Sequence, residues 1–249
     1  MTQERISLEP AFLLHQLPYR ESSALIDFFT HHHGRIRVLA KGVRSVAGRK
    51  ARYGGVLQPF QPLLLSWGGR GELPLLYGVE VAGFLAPLVG NHLISGFYLN
   101  ELLLRMTHRH EPHSDLFGSY HATMVALRQP RALAWLLRLF ERDLLAECGY
   151  AIDFNLPGER SAALQADALF CCRQQQGIVP LAAESHCDGV ALQGKTLMAL
   201  ASGRYEAADA ATVLPQAKQL LRYLLSFYLG DKPLQSRALL QQQRPRSLT

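Results

Sequence analysis

Residues 72–109 read ELPLLYGVEVAGFLAPLVGNHLISGFYLNELLLRMTHR, and the spacing of apolar side chains changes within them. Residues 72–81 carry the short, turn-bounded apolar run of a strand. From residue 88 onward Leu93, Phe97 and Leu104 recur at the three-to-four spacing of a helix. One region therefore closes a β-structure and opens an α-structure, which makes α+β the expected fold class. The change of period falls near residue 85.

Working back from that change, AFLLHQL, SALIDFF, RIRVLAKG and FQPLLLSW join ELPLLYGVEV as runs separated by Pro, Gly and polar turns. They read as five strands, enough for a small barrel or sandwich. WGGRGEL is expected to be a Gly-rich hairpin between the last two, because a phosphate-binding loop would need a following helix and its lysine. Working forward, SDLFGSYHATMVAL opens with Ser114 as the expected N-cap, and PRALAWLLRLFERDLLAECG runs from Pro130 to a terminating Gly149. Residues 154–194 lose the helical period, and KTLMALASG and PQAKQLLRYLLSFYLG restore it. The expected organisation is a β-domain at 1–83 and a helical domain at 84–249, interrupted by an irregular insertion at 154–194. QQQRPRSLT is expected to be a frayed tail.

A chain of 249 residues that is 48% hydrophobic can bury a sizeable core. The N-terminus carries an acid and breaks its apolar run at His15 and Gln16, unlike a signal peptide, and the chain's longest apolar runs fall short of a bilayer span. Four cysteines, two of them adjacent, do not resemble a secreted disulfide framework. The expectation is a soluble cytoplasmic protein with reduced thiols.

The net charge is +6, and it is segregated. No acid lies between Asp27 and Glu72, while GRIRVLAKGVRSVAGRKAR at 34–52 holds seven cations. Such a patch attracts polyanions. Within the third strand Arg35, Arg37, Leu39 and Lys41 take one face and Ile36, Val38 and Ala40 the other, so one face packs and one is free to bind. Two residues of strand advance by roughly 6.5 Å, a separation that lets Arg35 and Arg37 engage neighbouring phosphates. Arg44, Arg49, Lys50 and Arg52 follow on a Gly-punctuated arm suited to a backbone rather than to base edges. The residues point to a phosphate backbone, single-stranded by preference.

GRIRVLAKGVR, LQPFQPLLLSWGGRGEL, YLNELLLR, CGYAIDF and YLGDKPLQSRALL, in that order and spacing, resemble the bacterial RecO family of recombination mediators over nearly the whole chain. The resemblance implies an N-terminal five-stranded OB-fold barrel followed by a helical domain with a small zinc-finger-like insertion. It also implies binding to single- and double-stranded DNA and annealing of complementary strands. It further implies loading of recombinase onto DNA coated by single-stranded-DNA-binding protein, with RecR as partner.

The insertion departs from zinc-bearing relatives. Its candidate ligands fall in the directly adjacent pairs Cys171–Cys172 and His186–Cys187, with Cys148 on the preceding helix, whereas a structural zinc site favours pairs with two intervening residues. No metal and no other cofactor is expected there, nor at His31–His33, read as exposed turn residues. The carboxylates are scattered, Ser22, Ser23 and Ser45 lack a base, and no hydrolase motif occurs, so no catalytic residues are assigned. Annealing needs only charge neutralisation.

On the third helix Trp135, Arg138 and Arg142 recur at spacing three and four, and the Arg138–Arg142 pair is unfavourable without an anion or Glu141 nearby. The resemblance implies a pocket for the acidic, apolar-tipped C-terminal tail of single-stranded-DNA-binding protein, with Arg138 on its terminal carboxylate. An OB-fold RNA-binding or translation-associated module and an interaction scaffold for acidic proteins are the competing readings. RNA binding and arm neutralisation separate them from the DNA mediator.

Overall fold

A computed structural model of the chain describes residues 5–44, 51–53, 55–69, 73–129, 133–150, 165–174, 176–182, 186–230 and 232–242. These form two compact units, residues 1–131 with 234–249, and residues 132–233.

In the first unit five strands close a barrel in the order β1-β2-β3-β5-β4. They are β1 (Arg5–Tyr19), β2 (Ser23–Thr30), β3 (Gly34–Ala40), β4 (Leu63–Gly68) and β5 (Leu75–Val81). The pleat of β3 is as its sequence predicts: Ile36, Val38 and Ala40 are at most 1% exposed and join Ala11, Leu13, Ile26, Phe28, Leu63, Leu65 and Leu76 inside the barrel. β1 is buried on both faces, because Phe12 and Leu14 on its outer side are as inaccessible as Ala11 and Leu13 on its inner side.

That outer face needs a cover, and two helices supply it: α1 (Gly90–Met106) and α2 (Ser114–Ala126). Phe117 and Tyr120 of α2 pack on Phe12 and Phe29 at ring separations of 5.0–6.2 Å. A register shift in β1 between Leu13 and His15 frees carbonyls from the ladder. Asn100 of α1 donates to Leu13 and Leu14 at 3.3 and 2.9 Å, and the Tyr120 hydroxyl donates to Asn100 at 2.5 Å. The buried stripe of α1 is Ile94, Tyr98, Leu99, Leu102, Leu103 and Met106. The expected face of Leu93, Phe97 and Leu104 is its flank, and Phe97 is 41% exposed. Ser114 is not the N-cap either. His113 occupies that position without a side-chain cap, and Ser114 Oγ instead donates to the His31 carbonyl.

The last helix, α6 (Gln235–Gln242), returns to this unit. Glu101 of α1 accepts the backbone N–H groups of Gln235 and Ser236 at 2.9 and 3.0 Å and the Ser236 hydroxyl at 2.7 Å. It thereby satisfies donors that a helix start leaves open. Burial raises the Glu101 carboxyl pKa, but the Ser236 and Gln235 hydrogen bonds and the nearby Arg105 outweigh it and hold the group below the usual carboxylate range.

The second unit holds α3 (Leu133–Leu145), α4 (Gly194–Ser202), α5 (Ala210–Leu229) and a sheet ordered β7-β6-β8. Its strands are β6 (Leu169–Arg173), β7 (Gly177–Pro180) and β8 (Val190–Gln193). After α3 the chain makes a wide turn at Ala146–Tyr150, with Gly149 at φ 81° as the terminator its sequence position predicts. Most of the expected insertion's first part, residues 154–164, lies outside the described residues. The expectation of reduced thiols is corrected here, because Cys171 and Cys187 are joined in a disulfide. Cys172, its neighbour on the opposite face of β6, is a buried thiol. Among the described residues no group of three His, Cys, Asp or Glu side chains converges as a metal site, and no helix is long and apolar enough to cross a membrane.

Candidate nucleic-acid interface

The hairpin of β2 and β3 sets the charged site. Its register pairs Asp27 with Arg37, Phe28 with Ile36 and Phe29 with Arg35. Odd positions on both strands therefore share the outer face. Phe29 is covered by α2; Asp27, Arg35 and Arg37 lie beside it.

Asp27 is 1% exposed. Arg37 meets it in a two-pronged pair, Nε to Oδ1 at 3.0 Å and Nη2 to Oδ2 at 2.7 Å. Arg35 Nη1 stands 3.8 Å from Oδ1, and Arg109 Nη2 stands 4.0 Å from the same oxygen. Three guanidinium groups thus surround one carboxylate, leaving an excess of two positive charges. The hydrogen bond to Asp27 raises the Arg37 pKa, whereas burial, together with Arg109 and Arg37 and against the pull of Asp27, lowers that of Arg35.

Exposure separates the three roles. The Arg35 side chain is 13% exposed; its Nη2 donates to the Thr107 carbonyl at 2.9 Å, and its buried Nε has no hydrogen-bond partner. Arg37 and Arg109 are 28% and 40% exposed and present their outer edges to solvent. Arg109 arrives on the loop after α1, which is held against β3 by the His110 N–H donating to the Arg35 carbonyl at 3.0 Å. Gly34 permits that approach: at φ 62°, a Cβ there would lie 1.9 Å from the Glu111 carbonyl oxygen.

The remaining predicted cations lie toward the other end of β3, roughly 20 Å along the strand. Lys41 and Arg44 are exposed. Arg44 leans back on the Arg20 carbonyl. Arg52 donates to the Tyr77 carbonyl at 3.1 Å and lies over the Tyr53 ring. Arg5 over Tyr77 and Arg20 over Tyr19 extend this rim. Arg49 and Lys50 lie outside the described residues. Arg5, Arg20 and Arg109 are not legible as site residues in the sequence, since none lies in the acid-free stretch.

In the second unit the three residues picked on α3 separate. Relative to Trp135, Arg142 is displaced by about 20° around the helix and Arg138 by about 60°. Trp135 is 8% exposed, donates Nε1–H to the Gly203 carbonyl at 3.0 Å and meets Tyr205 edge-on. Arg142 donates to the Leu200 carbonyl at 2.6 Å and to Asp143 at 2.7 and 2.9 Å. Both tie α3 to the end of α4 and to the turn at residues 203–205. Arg138 points elsewhere, into a groove of about 490 Å³ between α3 and α5 lined by Ala134, Leu214, Pro215, Lys218, Gln219 and Arg222. It is 5% exposed, pairs with Glu141 through Nη2, and keeps its buried Nε without a hydrogen-bond partner. An apolar groove with three cations has the chemistry for an acidic peptide end with an apolar tip. Leu214, Pro215, Lys218 and Arg222 carry no signal in local sequence, because α5 supplies them from about 80 residues downstream of Arg138.

Comparison with known proteins places the whole chain. Residues 5–84 match the family model described as recombination protein O N terminal, and residues 90–238 match that described as recombination protein O C terminal. A protein of Nitrosococcus oceani named DNA repair protein RecO is 46% identical over 240 residues, spanning 96% of this chain and 95% of the relative. The equally named protein of Nitrosospira multiformis is 40% identical, spanning 96% and 97%. That of Cellvibrio japonicus is 41% identical, spanning 94% and 97%.

Proposed function

The chain belongs to the recombination protein O (RecO) family of DNA repair proteins, and from that premise we propose that it is a non-catalytic mediator acting on single- and double-stranded DNA. The barrel holds phosphate backbones on the outer edges of Arg37 and Arg109, with the charge of the buried Arg35 behind them, and on the rim of Lys41, Arg44 and Arg52. Two complementary strands repel each other through their phosphates, and a surface that replaces their counterions lowers the cost of their meeting. No bond is made or broken, so neither nucleophile nor nucleotide hydrolysis is required. The groove of Arg138, Lys218 and Arg222 takes the C-terminal tail of single-stranded-DNA-binding protein, bringing the mediator to coated DNA onto which recombinase is loaded, with RecR as the further partner.

The observation that carries this reading is the convergence of three arginines from β3 and the post-α1 loop on one buried aspartate, an arrangement that turns the edges of Arg37 and Arg109 to solvent and leaves two positive charges in excess. The test is annealing of complementary oligonucleotides, bare and coated with the cognate single-stranded-DNA-binding protein. Acceleration of both supports the proposal. A chain that binds RNA and ignores DNA, or that anneals neither, overturns it.

A further inference from the structure

The barrel is incompletely zipped along β3. Among the described residues β3 and β5 pair only at Leu39 and Leu75, where the Leu39 N–H donates to the Pro74 carbonyl at 2.9 Å. At the other end of β3 the neighbour is not a strand of the barrel. It is the loop residues Arg109 and His110, in a single parallel bridge to Arg35. Between these two contacts the barrel wall opens into a cleft of about 180 Å³.

Its lining is mixed in a specific way. Trp67 and Ile36, 6% and 1% exposed, form the floor. His33 meets the Trp67 ring edge-on at 5.4 Å and 86°, and the exposed His110 completes the rim. Gly68 and Gly69 give a stretch of wall with no side chains, so a flat group can lie against backbone. His110 holds φ 63°, a conformation that costs a non-glycine residue energy and that recurs at binding sites.

We propose that this cleft receives one unstacked nucleobase of a bound single strand, whose flanking phosphates lie on Arg37 and Arg109; the proposal rests on the DNA reading above. At about 180 Å³ the cleft has room for one base and not for a base pair. Aromatic carbon meets the ring, and imidazole nitrogens with backbone N–H and C=O groups meet its polar edges, as single-strand recognition requires. Arg35 and Ile36 are consecutive on β3, one facing the outer charge cluster and the other the cleft. Sugar and phosphate can therefore remain outside while the base passes His110. A duplex fills the cleft only by giving up a pair, so this seam makes the protein favour single strands.

The experiment incorporates fluorotryptophan into the full chain, which has two tryptophans, and identifies the Trp67 fluorine resonance by its loss in Trp67→Phe. The probes are an oligothymidylate, an abasic oligomer of equal length and charge, and a duplex. The expected result is that oligothymidylate shifts the Trp67 resonance and the abasic oligomer does not. His33→Ala with His110→Ala is expected to weaken oligothymidylate binding about tenfold, the loss of one aromatic–base contact, while abasic binding and the salt slope stay unchanged. An abasic oligomer that shifts Trp67 equally, or histidine variants that weaken both oligomers alike, would overturn the base assignment and leave phosphate binding intact. Failure of the chain to bind any strand would overturn the DNA reading with it. The resonance measurement needs no change to the cleft, so it stands even where the double variant folds poorly.

Discussion

The arginine cluster on the barrel and the arginine groove on α3 and α5 carry the same kind of charge and differ in what surrounds it. On the barrel, Asp27 fixes Arg37 and draws in Arg35 and Arg109, the wall beside them is strand backbone, and the outer guanidinium edges meet water. In the groove, Arg138 is nearly inaccessible, is held by Glu141, and looks across Ala134, Leu214 and Pro215. Open charge over a polar surface recognises a repeating polyanion whatever its sequence. Buried charge beside apolar carbon recognises a single chain end, because only a ligand bringing both an apolar group and a carboxylate repays the desolvation. The difference predicts that the two sites can be lost independently.

The largest effect is expected at the hub of the barrel cluster. Asp27→Ala leaves three guanidinium groups facing one another, with Arg35 unable to swing to water, and is expected to cost about 3 kcal/mol of stability. Urea unfolding of the variant measures it. A loss within error would mean that the arginines need no hub.

Next comes the groove. Arg138→Ala is expected to weaken binding of a synthetic tail peptide by about 2 kcal/mol, as for a charged hydrogen bond, while leaving bare-DNA affinity and bare-strand annealing intact. Titration calorimetry and annealing rates decide this. A parallel fall in both would merge the two sites into one.

Arg37→Ala and Arg109→Ala test the barrel from the other side. Each is expected to lower the slope of log affinity against log salt for single strands by about 0.7, one phosphate each, with no change in peptide binding. Filter binding across a salt series reads the slope. An unchanged slope would show that these guanidinium edges meet no phosphate.

A smaller effect separates folding from binding. Because the Glu101 carboxyl is held below the usual carboxylate range, its stabilisation is complete above that range and is lost as pH falls through the lowered folded value. Glu101→Gln is expected to cost about 1 kcal/mol at neutral pH and to flatten the melting temperature's fall with acid. The parent and variant compared by calorimetry at neutral and acid pH show whether the difference closes. Smallest of all is the behaviour of Cys172, whose pKa burial pushes up to about 11. In the native chain at pH 8 it is expected to resist a thiol reagent that Cys148, partly exposed, accepts, as mass mapping of labelled peptides would show.

The sequence makes some of this legible and hides the rest for identifiable reasons. The alternation of β3 predicts its buried face, because period two is local. The helix of residues 90–106 is equally clear, but its buried stripe is one residue away from Leu93, Phe97 and Leu104. The outer surfaces of Phe12 and Phe29, remote in sequence, decide which side is covered. In the sequence Asp27 marks only the boundary of the acid-free stretch, although an antiparallel hairpin turning at His31–His33 brings it opposite Arg37. Arg109 gives no sign, since a loop joins a strand edge only through tertiary packing. The pairing of Cys171 with Cys187 is hidden because the two stand out as members of the adjacent pairs Cys171–Cys172 and His186–Cys187, whereas the sheet of β6 and β8 brings the segment before β8 back to Cys171.

The carboxylate of Glu101 also sets an order of events in time. Because α6 belongs with residues 1–131, the first unit is interrupted in the chain by the whole of the second, and on the ribosome the barrel and its two helices emerge well before the segment that Glu101 receives. At ordinary rates of synthesis the wait is on the order of ten seconds. For that interval the nascent chain carries a carboxylate on α1 whose hydrogen-bond donors on α6 have not been made, and the first unit is completed only after the second has been threaded out.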